Sequence, residues 1–163
     1  IDQTLSSRIT DLTTVVEYFG LDAYVVFGSS FGGKVAFHTA ADDDRVRAVG
    51  ARAPVTYQGS SGERRDIIET RGVYEYDTGH RLDERFFADL DSYSFEEITE
   101  KIDCPVWIAH GGDDASVPCE NSFRAAAALD TNVLAQKYAG EDHRFSRKAE
   151  ARLLDQFFHW LKE

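Results

Sequence analysis

Tyr24-Val25-Val26-Phe27-Gly28-Ser29-Ser30-Phe31-Gly32-Gly33 is an apolar, β-type run that stops at Gly-Ser-Ser-Phe-Gly and passes into a helical stretch, Lys34 to Ala41. The pattern is Gly-x-Ser-x-Gly, with Ser30 at its centre. A strand that turns abruptly into a helix holds its turn residue in a tight backbone. Gly28 and Gly32 are expected to remove the Cβ atoms that would collide across that turn. The Ser30 hydroxyl then projects from the carboxyl edge of the sheet, with the N–H groups of the helix start aimed at the same spot. Such a serine becomes a nucleophile when a base is near. By composition alone the motif occurs by chance in about one chain in twenty of this size. Its position, after a strand and before a helix, carries more weight than the match itself.

Downstream, the rhythm of strand and helix repeats. Val46 to Val55 reads as a second strand closed by Pro54, Val106 to His110 as a third, and Val133 to Tyr138 as a fourth. Helices are expected over 120–129 and in the last amphipathic segment, where Leu153, Leu154, Phe157, Trp160 and Leu161 share a side. Upstream, Leu5, Ile9, Leu12, Val15, Val16 and Phe19 have helical spacing and predict core packing, with Thr4 as cap and Gly20 as stop. Four strands alternating with helices imply an α/β fold, a parallel sheet with helices on both faces. The 57–100 region breaks the pattern with Gly59, Ser60, Ser61 and Gly62. Short helical pieces follow at Asp66–Thr70 and Leu82–Asp91, then a capping-box helix from Ser94 to about Lys101.

Sites in such sheets lie beyond the carboxyl ends of the strands. Ser30 follows the first strand, Asp113 and Asp114 the third, and His143 the fourth, so all fall on one edge. A serine hydroxyl needs an imidazole to take its proton, and the imidazole needs a carboxylate to fix its tautomer. His143 sits in a loop where its ring can swing over that edge. His38 and His159 lie within helices, His80 lies in the long insertion, and His110 precedes the acid and reads as structural. The carboxylate is Asp113 or Asp114.

The 163 residues suit one domain. A net charge of −11 disfavours nucleic acid and anionic membrane surfaces as partners. Arg outnumbers Lys, 13 to 5, and acids cluster in loops such as Asp42-Asp43-Asp44, which suggests a salt-rich cytoplasm, a halophilic origin. Cys104 and Cys119 are separated by an extended strand of about 17 Å, against the roughly 7 Å that a disulfide bridges. No Cys/His spacing suggests a metal, and no cofactor is implied. No apolar run is of membrane length, and no signal peptide is visible, so a cytoplasmic location is expected. The chain has no Met and begins at Ile1, and it reads as the middle and end of a longer product.

Three segments together resemble the α/β-hydrolase family, in its esterase, lipase and serine-peptidase-like branch. They are Gly28-Ser29-Ser30-Phe31-Gly32-Gly33, then Cys104-Pro105-Val106-Trp107-Ile108-Ala109-His110-Gly111 with Asp114 and Val117-Pro118, then Gly140-Glu141-Asp142-His143-Arg144-Phe145. The resemblance covers residues 1–163 and implies the family order of serine, acid and histidine. It implies Ser30 as nucleophile, Asp114 as acid with Asp113 as the alternative, His143 as base, and the Phe31 N–H as one oxyanion donor. It makes 57–100 a cap within the core. It implies a serine hydrolase acting on a small-molecule ester or related acyl bond. Serine peptidase, thioesterase and acyltransferase chemistry on the same residues stay open, as does an inactive fold used for binding. The family sheet has about eight strands, so the amino-terminal strands and the second oxyanion donor are expected to be missing. That predicts an open edge on the first strand, self-association and weak activity.

Overall fold

A computed structural model describes residues 4–57, 62–76 and 79–162; the Gly59-Ser60-Ser61 loop lies outside them. The chain forms two compact units, Ile1–Gly20 with Ser60–Ser94, and Leu21–Gly59 with Phe95–Glu163.

In the first unit, α1 (Leu5–Tyr18) is capped by the Thr4 hydroxyl, which accepts from the Ser7 N–H, and Gly20 follows at φ 60°. α3 (Gly62–Arg71) leads into a two-stranded antiparallel ribbon, β3 (Tyr74–Glu75) and β4 (Arg81–Leu82), and then into α4 (Glu84–Leu90). Ile68, Leu82 and Phe87 form its small core. The Ser6 side chain bonds to Asp89 and to Tyr93, fixing the start of α1 beside α4. The apolar stripe on α1 is only partly used. Leu5 and Val16 are buried, whereas Val15 and Phe19 are exposed. α4, seven residues long, is too short to cover a stripe of that length.

The second unit is a parallel four-stranded sheet of β1 (Tyr24–Ser29), β2 (Val46–Arg52), β5 (Val106–Gly111) and β6 (Val133–Tyr138), in the order β1-β2-β5-β6. Register determines which side chains share a face. Gly28 pairs with Ala51 and Ala51 with Ile108, so these point one way together with His110. α2 (Phe31–Asp42) and α5 (Cys119–Ala128) lie on that face. Gly28 abuts the first turn of α2, and His110 bonds to Ser122 of α5. Phe27, Gly50 and Trp107 point the other way and meet α6 (Arg147–Trp160). The Phe157 ring lies 5.0 Å from Phe27 and 5.5 Å from Trp107. A Cβ on Gly50 would come within 2.5 Å of the Phe157 ring, so the missing side chain makes room for the aromatic cluster. Trp107, Tyr138, Phe145, Leu153 and Phe157 form the core on that side. Helices on both faces of a parallel sheet are the expected architecture.

Several boundaries differ from the sequence reading. The helix expected at Asp66–Thr70 runs over Gly62–Arg71, and the one expected from Leu82 starts only at Glu84, because Leu82 pairs in β4 and Asp83 caps the helix. β2 ends at Arg52, because Ala53 turns to φ 44° and Pro54 offers no N–H to continue a ladder. The helix expected from Ser94 is a turn followed by a single 3-10 stretch, Thr99–Lys101. Its bonds run over three residues, Ile98 N–H to the Phe95 carbonyl and Lys101 N–H to the Ile98 carbonyl. That spacing buries Phe95 and Ile98 together. Both cysteines are buried and unbridged. Among the described residues, no helix is long and apolar enough to cross a membrane.

Candidate active site

The turn between β1 and α2 is strained. Ser30 holds φ 55° and ψ −119°, a conformation that side-chain-bearing residues seldom adopt. It is held there by backbone bonds. The Ser30 N–H donates to the Arg52 carbonyl at 2.9 Å, and the Ser30 carbonyl accepts from the Gly33 and Val55 N–H groups. The turn depends on glycine at 28 and 33. A Cβ on Gly28 would overlap the Gly32 carbonyl and lie 2.6 Å from Gly33 N, and one on Gly33 would lie 2.6 Å from Pro54 Cβ. The expectation for Gly32 is corrected here: a Cβ there meets nothing within 4 Å, because that position in the first turn of α2 faces away from β1. Phe31 opens α2, directly after Ser30.

From this turn the Ser30 hydroxyl donates toward His143 Nε2, at 2.9 Å. His143 Nδ1 donates to Asp114 Oδ2, at 2.6 Å. The three residues come from the ends of β1, β5 and β6, as parallel strands require. The loop bearing His143 is closed by Asp142, whose carboxylate accepts from the Arg144 and Phe145 N–H groups. Gly111 lets that loop approach β5, since a Cβ there would meet the Glu141 and Asp142 carbonyls.

Asp114 is fully buried on its side chain, and His143 is about a quarter exposed, at 24%. Oδ1 of Asp114 accepts from the Ser116 and Val117 N–H groups at 2.8 and 2.9 Å. Burial by itself pushes this carboxyl up. The bonds from Val117, His143 and Ser116 outweigh burial, and the net position is below the usual carboxylate range. Asp114 is therefore ionised near neutral pH and anchors the Nδ1–H tautomer of His143. Asp113 does not join this arrangement. It is exposed, and its N–H donates to the Glu141 carbonyl.

His110 does more than pack. Its Nε2 lies 3.0 Å from both Asp114 Oδ2 and the Val117 carbonyl, and its Nδ1 lies 2.6 Å from Ser122 Oγ. Two acceptors at Nε2 require a proton there, so Nδ1 accepts from the Ser122 hydroxyl. Burial pushes this imidazole below its ordinary range, which keeps it neutral. His110 thus gives Asp114 Oδ2 a second donor. The signal was available in the sequence as a histidine four residues before the acid. Among the described residues, no group of three His, Cys, Asp or Glu side chains could hold a metal ion.

The model of the prolyl oligopeptidase family matches residues 7–163. The human palmitoyl-protein thioesterase ABHD10, a mitochondrial protein, is 24% identical over 169 residues, covering 94% of this chain and 55% of that protein. The bovine protein of the same name is 26% identical over 160 residues, covering 88% of this chain and 52% of its own length. The chain therefore spans about half the length of the curated relatives it matches. Among solved structures, mouse α/β-hydrolase domain-containing protein 10 superposes with a TM-score of 0.80 at 21% identity, covering 98% of this chain and 70% of that one. Est1E from Butyrivibrio proteoclasticus gives a TM-score of 0.78 at 20% identity, covering 98% and 71%. With a family match over nearly its whole length and these folds as neighbours, the chain belongs to the prolyl oligopeptidase family and has an α/β-hydrolase fold.

Proposed function

We propose that the protein is a serine hydrolase that cleaves a carboxylic ester or a related acyl bond through an acyl-enzyme on Ser30. The observation that carries this is the hydrogen-bonded relay from Ser30 Oγ to His143 Nε2 and from His143 Nδ1 to Asp114, at 2.9 and 2.6 Å. As Ser30 attacks a substrate carbonyl, its proton passes to His143 Nε2. The imidazolium formed is stabilised by ionised Asp114. Negative charge then develops on the former carbonyl oxygen, and the Phe31 N–H at the start of α2 is assigned as one donor to it. His143 gives its proton to the leaving alcohol or thiol. A water, deprotonated in turn by His143, releases the acid. In this reading, residues 57–100 act as a cap and select the acyl or leaving group.

The relatives' name favours a thioester among the related bonds, and acyl esters and peptide amides share the same chemistry. A fluorophosphonate probe tests the nucleophile. Labelling is expected on the wild type and lost in Ser30→Ala. Labelling that survives Ser30→Ala, or a wild type that never reacts, would overturn the assignment. Turnover of matched p-nitrophenyl esters, acyl thioesters and peptide anilides then ranks the bond types. β1 is the outer strand among the described residues, with Val25 and Phe27 exposed. Its free edge is expected to make the chain self-associate, which sedimentation velocity measures.

A further inference from the structure

Arg52 ends β2 on the α6 side of the sheet, and its guanidinium touches both halves of the candidate site. Nε and Nη2 donate to Ser29 Oγ, at 2.9 and 2.6 Å. Nη1 donates to the Arg144 carbonyl at 3.2 Å and to Glu150 Oε1 at 2.9 Å. The same guanidinium lies 5.7 Å from the centroid of the Phe145 ring. Ser29 immediately precedes Ser30, and Arg144 immediately follows His143. The flat, five-donor guanidinium therefore ties the residue before the nucleophile to the residue after the base, reaching 23 positions back along the chain to Ser29 and 92 forward to Arg144.

We infer that Arg52 is a positioning residue: its guanidinium clamps the Ser30 turn to the His143 loop and so sets the distance between hydroxyl and imidazole. Three features support this. Its side chain is mostly buried, 19% exposed, and its bonds to Ser29 are partly shielded from water, while those to Arg144 and Glu150 lie at the surface. Glu150, on the first turns of α6, balances its charge and orients the fork. Both segments it joins contain residues at positive φ, Ser30 at 55° and Phe145 at 59°. Strained backbone persists only where its surroundings over-determine it. The backbone bond from Ser30 N–H to the Arg52 carbonyl is available to any residue at 52; the clamp needs the side chain. A lysine cannot replace it, because one ammonium group cannot bond in a plane to Ser29, Arg144 and Glu150 together.

This inference rests on the reading of Ser30 and His143 as nucleophile and base, and the test separates the two. Arg52→Lys, Arg52→Gln and Ser29→Ala are assayed for ester turnover and for fluorophosphonate labelling rate. The expected result is a fall of about ten- to a hundredfold in kcat with KM nearly unchanged. Arg52→Lys should fail to rescue, and Ser29→Ala combined with Arg52→Gln should be no worse than either alone. Wild-type rates in Arg52→Gln, or rescue by lysine, would overturn the clamp while leaving the nucleophile assignment intact. Amide hydrogen exchange supplies a readout that needs no activity. Arg52→Gln should speed exchange in residues 30–32 and 142–145 together while β5 is unchanged. Loosening of one segment alone, or of neither, would also overturn it. A wild type unlabelled at Ser30 would strike the functional reading, and the exchange data would still judge the clamp.

Discussion

Substituting Gly28 and Gly32 separately by alanine probes the Ser30 turn, because the two glycines of the Gly-x-Ser-x-Gly pattern have opposite surroundings. A Cβ at 28 would overlap the Gly32 carbonyl and sit 2.6 Å from Gly33 N, both backbone atoms of the α2 start. Relief of the overlap to an ordinary separation of about 3.5 Å requires that turn to recede by more than about 1 Å. Backbone cannot swing aside as a side chain can, so the cost belongs at the upper end of overpacking, about 3 kcal/mol. For a chain of this size that lowers Tm by roughly 6–12 °C. The same displacement is passed to Ser30, whose bond to His143 is 2.9 Å. A misplacement of that size costs about a hundredfold in turnover. At 32, a Cβ meets nothing within 4 Å. Alanine there should leave stability unchanged or raise it by about 0.5 kcal/mol, through the lost freedom of the unfolded chain. The assays are urea unfolding and the rate of fluorophosphonate labelling on both variants. Equal damage from both substitutions, or a Gly28→Ala protein with wild-type stability and labelling, would refute the account of the turn.

Asp114→Asn should preserve the fold and lower kcat by about 10⁴-fold, because the amide no longer enforces the Nδ1–H tautomer of His143; single-turnover ester hydrolysis measures it. Gly111→Ala should slow turnover by roughly tenfold or more, since its Cβ would press on the Glu141 and Asp142 carbonyls and shift the His143 loop; a crystal structure would show the displacement. Acid should destabilise the protein below about pH 6.5. Burial, helped by Lys34 and Lys101, pushes His38 down to about 4. The unfolded chain protonates that imidazole near 6.5 and the folded chain only near 4, so the unfolded state binds more protons in between and stability falls as pH drops. His38 alone accounts for about 3 kcal/mol by pH 4. His110 acts in the same direction. Urea unfolding across pH 4–7.5 should show a shallower loss for His38→Asn than for the wild type.

Much of the architecture was legible in the one-dimensional pattern, because it rests on local chemistry. Apolar β-branched runs, glycine stops and helical spacing mark the four strands of the parallel sheet and the helices beside them. Parallel strands end on one side, so chain order alone places Ser30, the Asp113-Asp114 turn and His143 along one edge. Tertiary structure decided what local pattern leaves degenerate. Two adjacent aspartates in a turn are alike in sequence, and only the bonds from Ser116, Val117 and His110 draw Asp114 inward while Asp113 faces solvent. Two glycines flanking a serine are alike in a motif, and only the approach of α2 and Pro54 makes 28 and 33, rather than 32, the crowded positions. Arg52 has no sequence signal at all, since its partners lie 23, 92 and 98 residues away. Contacts of that range are created by sheet register and helix docking, and a chain read residue by residue does not contain them.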